Sequence, residues 1–151
     1  MLTLHHCLPA PVTAPVDLTL ALSADERQRS RCRLNLPDGQ TVVLRLPRGT
    51  VLQAGDCLQA ESGELVSIVA RPEPVLRVTA TTPHDLLRAA YHLGNRHVPL
   101  AITPDSLCLA PDPVLEALLR QLGLHVTAEI TPFCPEAGAY AGSQASAHSH
   151  A

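Results

Sequence analysis

Thr82-Pro-His-Asp-Leu-Leu-Arg-Ala-Ala-Tyr-His-Leu-Gly-Asn-Arg-His-Val-Pro99 decides the fold of this chain. Thr82 is a residue type that caps a helix, Pro83 suits the first helical position, and Asp85 adds an acidic group to the first turn. Leu86, Leu87, Ala90 and Leu93 then recur at helical spacing. Gly94 and Asn95 tolerate the left-handed backbone that often ends a helix, so the helix is expected to stop there.

The pattern extends in both directions. Val75-Leu-Arg-Val-Thr79 reads as a strand before the helix. Val98 to Ile102 and Ser106 to Leu109 read as two strands around a Pro104-Asp105 turn. Asp112-Pro113 repeats the cap-and-proline start, Val114, Leu115, Leu118, Leu119 and Leu122 form an apolar stripe, and Gly123 stops it. His125 to Ile130 alternates as a last strand. The order β-α-β-β-α-β predicts a ferredoxin-like domain over residues 75–140, with both helices on one face of the sheet.

Upstream, Arg71-Pro-Glu-Pro74 interrupts the periodicity and marks a domain boundary. Residues 1–72 read as all-β. Val16 to Leu22 alternates with period two, and Cys32 to Leu36 and Thr41 to Leu46 flank Pro37-Asp38-Gly39-Gln40, a strong hairpin signal. Further strands are expected near Cys57-Leu58 and at Leu65 to Ala70. Asp25 to Arg31 reads as a solvated charge run, and His5 and His6 are expected to face opposite sides of a first strand. Residues 141–151 contain no large apolar side chain and are expected to form a short flexible tail. The fold class is therefore α+β: two small domains, all-β then ferredoxin-like βαββαβ, with a tail.

Composition narrows the function. The 151 residues carry a net charge of −3 with no Lys and only three aromatic residues. A nucleic-acid binder would need a basic stripe and stacking platforms. No apolar run approaches the ~20 residues that span a bilayer. The start MLTLHHCLPAPV lacks the basic and long apolar regions of a signal peptide, so a cytoplasmic location is expected. The five cysteines show no C-x-x-C spacing and are expected to be buried small apolar residues. G-x-S-x-G, Walker A, G-x-G-x-x-G and H-E-x-x-H are all missing, so no enzyme class is indicated. A Cys108–His pair with His97 or His92 is the weakest of the remaining ideas.

The eight histidines raise the question of metal. His148 and His150 form an i, i+2 pair in the tail, where no packing reason calls for them. His97 follows the first helix and should expose its ring. One imidazole holds a metal weakly, but a two-fold dimer would set two copies of His97 against each other. Imidazole suits nickel, zinc, copper and iron alike. His5, His6, His84, His92 and His125 read as surface or packed residues.

Tyr91-His-Leu-Gly-Asn-Arg-His-Val-Pro-Leu100, Asp112-x-Val-Leu115, Leu122-Gly123 and Phe133-x-Pro-Glu-Ala-Gly-Ala-Tyr140 together resemble the UreE family of urease accessory proteins. The resemblance implies a homodimeric nickel metallochaperone for urease maturation, with a peptide-binding-like N-terminal domain and a ferredoxin-like metal-binding domain. It makes His97 the interfacial nickel ligand, one from each protomer, with His148 and His150 assisting. It also implies an accessory GTPase and the apo-urease complex as partners. Zn²⁺ is acceptable to the same ligands. Leu109-Ala-Pro-Asp-Pro113 lacks the histidines that some members carry before the second helix, and the tail has only two, so delivery fits better than storage. The competing reading is a peptide- or protein-binding adaptor that needs no metal.

Overall fold

The computed structural model describes residues 1–9 and 13–137. The chain falls into two compact units, Met1–Glu73 and a second beginning at Pro74. The first unit contains β1 (Leu2–Leu8), β2 (Leu18–Leu22), α1 (Ala24–Arg27), β3 (Arg31–Asn35), β4 (Thr41–Arg45), β5 (Cys57–Ala60) and β6 (Leu65–Ala70). Its strands make one six-stranded mixed sheet in the order β2-β6-β5-β1-β4-β3. β1 pairs with β4, and β2 with β6, in parallel; the other described pairings are antiparallel. Period-two alternation turns Leu20 and Leu22, Val42 and Leu44, and Val66 and Ile68 into a common core, completed by Leu4, Leu46, Leu52 and Leu58.

The expected hairpin joins β3 to β4. Gly39 takes φ +86, and the Leu36 amide donates to the Gln40 carbonyl at 2.8 Å. Two other expectations fail in this unit. Asp25 to Arg31 is not simply a solvated run, because Ser23 and Glu26 form a capping box that starts α1. The Glu26 amide donates to Ser23 Oγ at 3.2 Å, and the Ser23 amide to Glu26 Oε1 at 2.9 Å. The turn carries Arg27 inward: it is only 3% exposed and donates through Nη1 to the Leu22 carbonyl. His5 and His6 do not alternate either. The β1–β5 register shifts between Leu4 and His6, an irregularity that sets His5 beside His6 opposite Gln59, and both are exposed.

The second unit contains β7 (Pro72–Thr79) from its third residue onward, α2 (Pro83–Asn95), β8 (Ala101–Ile102), β9 (Leu107–Leu109), α3 (Pro113–Gln121) and β10 (His125–Pro132). The sheet order is β10-β7-β9-β8, the fourth, first, third and second strands of a ferredoxin-like βαββαβ. Leu76 and Val78 of β7, Leu107 and Leu109 of β9, and Val126 of β10 share one core with Leu86, Ala89 and Leu93 of α2 and Leu119 of α3. Both helices therefore cover the same face, as the periodicity predicts. Both caps also form: Thr82 Oγ1 accepts the Asp85 amide, and Asp112 Oδ1 accepts the amides of Val114 and Leu115.

Candidate metal centre

The end of α2 is built from a backbone motif rather than from the expected Gly-Asn stop. The helix runs through Gly94 and Asn95, Arg96 is the C-cap, and His97 follows in the left-handed region at φ +57. The His97 amide donates to the Gly94 carbonyl at 3.0 Å, and the Val98 amide reaches back to the Leu93 carbonyl at 3.1 Å. These are the two bonds of a Schellman motif, with His97 where glycine usually stands. Leu93 and Val98 pack on the same core, which supplies the apolar contact that accompanies the motif. α3 ends identically. Gly123 at φ +86 donates to the Arg120 carbonyl, and Leu124 to that of Leu119.

His97 is the one described non-glycine residue with positive φ. For a residue with a Cβ that backbone costs roughly 1–2 kcal/mol, which the two hydrogen bonds and the Leu93–Val98 contact hold in place. The backbone at His97 is thereby fixed, and the exposed side chain projects from the end of the helix. The signal was present in the sequence: Leu93-x-x-x-His97-Val98 and Leu119-x-x-x-Gly123-Leu124 share their apolar spacing, which aligns His97 with Gly123.

The outer side of α2 leads to this point. Leu87 is 69% exposed and Tyr91 67%, and with Gly94 they follow one another at i, i+4 and i+3 spacing. Tyr91 meets the His92 ring edge-on, with centroids 5.6 Å apart. His92 itself is half-buried beside a small hollow shared with Asp85, Arg88, Leu122 and Leu124, while His84 and His125 are exposed. Among the described residues no group of three or more His, Cys, Asp or Glu side chains is placed to hold a metal ion. His97 of one chain offers one imidazole. His148, His150 and Tyr140 lie outside the described residues.

The cysteines split. Cys57 and Cys108 are buried as expected, but Cys7 and Cys134 are exposed and Cys32 is half-buried. Cys7 lies opposite Leu58 near the end of β1, and Cys134 follows the end of β10. Cys108 sits opposite Arg77 on the sheet, and its charged neighbours are Arg77 and Glu129, not a histidine. Burial pushes its thiol up; Arg77 opposes this and Glu129 adds to it. A thiol held in its protonated form is a poor nucleophile. Arg77 is itself committed, through Nε to Glu129 at 2.8 Å and through Nη1 to Ser106 Oγ at 3.1 Å.

Comparison with known proteins gives matches over both units. Residues 73–151 match the model of the UreE urease accessory protein C-terminal domain, and residues 4–71 that of its N-terminal domain. A urease accessory protein UreE from a Nostoc species is 57% identical over 141 residues, covering 93% of this chain and 96% of that relative. The one from Thermosynechococcus vestitus is 51% identical over 141 residues, covering 93% and 98%. That from Ralstonia nicotianae is 49% identical over 153 residues, covering 98% and 72%.

Proposed function

The chain belongs to the UreE family of urease accessory proteins, and from that premise we propose that it carries Ni²⁺ to urease during assembly of the metal centre, as a homodimer and without catalysing a reaction of its own. Its cargo ion sits between two protomers on the pair of His97 rings, with His148 and His150 as further ligands. Zn²⁺ competes for the same nitrogens. The accessory GTPase and apo-urease are its partners in the cytoplasm.

The observation that supports this reading best is the exposed His97 side chain on a left-handed helix cap, where glycine would fit without strain. A single imidazole makes one weak bond, but an isologous axis passing beside the α2 end doubles it with no further design. Leu87 and Tyr91 supply apolar surface next to that end, which such an axis needs. A site of two fixed and two tail imidazoles remains open to ligand exchange, so a partner can take the ion stepwise. Protons compete for imidazole nitrogen, so loading weakens in acid.

Calorimetric titration tests the assignment. His97→Ala is expected to lose the tight nickel site with the fold intact, and removal of residues 144–151 to lower stoichiometry or affinity without preventing dimerisation. Unchanged tight binding in His97→Ala overturns the proposal and favours the metal-independent adaptor.

A further inference from the structure

β10 is the outermost strand of the second unit's sheet, so among the described residues it has a strand neighbour on one side only. Two other sheet edges are blunted. β8 is two residues long, and β3, at the rim of the first sheet, carries the exposed Arg31 and Arg33. Short strands and charges are the usual means of keeping edges from pairing. β10 uses neither. It runs for eight residues, His125-Val-Thr-Ala-Glu-Ile-Thr-Pro132, with no Lys or Arg and with proline only at its end. Its one carboxylate, Glu129, is already held by Arg77 Nε at 2.8 Å.

The two faces of β10 differ. Val126 lies in the core beneath the helices, so Ala128 and Ile130 share its face, and both are exposed, Ile130 by 75%. Leu76 and Val78 point into that same core, which puts Arg77 and its partner Glu129 on the opposite face, with His125, Thr127 and Thr131. The polar face therefore has a histidine two residues before Thr127 and a glutamate two residues after it. That spacing is self-complementary. A second β10 laid antiparallel about a two-fold axis at Thr127 sets His125 opposite Glu129 twice and Thr127 opposite its own copy. On the other face Val126 meets Ala128, and Leu124 meets Ile130. Threonine pairs and imidazole–carboxylate pairs across strands stabilise a sheet. An axis at Glu129 would bring two carboxylates together, and one at Ala128 would keep His125 from Glu129.

From this pattern we infer that the free edge of β10 binds a second copy of this chain, β10 to β10 about a two-fold axis at Thr127. Two four-stranded sheets join into one of eight, and the exposed Ala128 and Ile130 of each copy are covered by the other. A copy of the chain is the occupant because its own edge supplies both the imidazole and the carboxylate at matching positions. The contact uses neither α2 nor His97. It goes beyond nickel carriage, since it gathers the proposed two-chain carriers into larger assemblies.

Position 127 gives a test of the register itself. Directly opposed residues bring their Cα atoms to about 4.5–5.5 Å, within the span of a disulfide. The two copies of residue 131 would stand about 27 Å apart. In the full chain with the exposed Cys7 and Cys134 changed to Ser, Thr127→Cys is expected to form a disulfide-linked dimer under mild oxidation, and Thr131→Cys is not. Sedimentation velocity supplies a second measurement. With rising concentration the parent is expected to show one more association step than Thr127→Lys, whose facing charges raise the dissociation constant of that step by about tenfold or more. Thr127 is exposed, so lysine there is expected to leave the melting temperature unchanged. No cross-link at position 127, equal cross-linking at position 131, or identical association of the parent and Thr127→Lys would each overturn the proposal. None of these measurements involves nickel, so they stand whether or not the ion rests on His97.

Discussion

At the residue scale His97 presents a conflict between stability and exposure. Its backbone favours glycine, as the equivalent Gly123 at the end of α3 shows. Replacing His97 by glycine removes roughly 1–2 kcal/mol of left-handed strain. It also frees the unfolded chain, which takes back about 0.4–1 kcal/mol. The first effect is the larger, so His97→Gly is expected to melt at the same temperature as the parent or slightly above it, while losing tight nickel binding. A scanning calorimeter and a nickel titration on the same sample check both halves. A variant that melts several degrees lower would mean that the imidazole has a packing role, and the ligand reading would lose its main support. The residue type is legible in the sequence directly, its conformation only through the apolar spacing around it. Gly94 and Asn95 drew attention as the usual helix stops, whereas the positions of Leu93 and Val98 decide which residue becomes left-handed.

At the scale of elements, the ends of the helices carry a large share of local order. Asp112 accepts two amides, at 2.9 and 3.1 Å, before a helix of only nine residues. Asp112→Ala is expected to cost about 1–2 kcal/mol, read from urea denaturation of the second unit. The same reasoning explains what was legible. Caps at Thr82 and Asp112 and the stripe in each helix are local chemistry, so βαββαβ could be read directly, as could the Gly39 hairpin of the first unit. Ser23-x-x-Glu26 was equally local but lay inside a charge run, and its helix is a single turn. The parallel pairings of β1 with β4 and β2 with β6 join residues far apart in the chain. No periodicity encodes such pairings, so strand order in the first unit was not accessible. The irregularity beside His5 belongs to the same class, because it depends on the partner strand.

At the scale of the whole molecule, the proposed site exists only when two chains meet. Leu87 and Tyr91 are the large apolar residues that α2 leaves uncovered, 69% and 67% exposed. Full burial of one such side chain is worth about 1.5–3 kcal/mol, and two-fold symmetry counts every residue twice. Leu87→Asp removes that gain from both copies and sets two carboxylates near the axis. The dimer dissociation constant is therefore expected to rise by about 100-fold or more, as sedimentation velocity would record. Nickel then provides the decisive comparison. An ion that binds the dimer better than the monomer must strengthen the dimer by the same factor, since the coupling is reciprocal. Adding Ni²⁺ should return Leu87→Asp towards dimer but leave Leu87→Asp/His97→Ala unchanged. If nickel shifts both equally, the shared ion does not rest on His97. If it shifts neither, no ion bridges the protomers, and Leu87 marks an interface unrelated to metal.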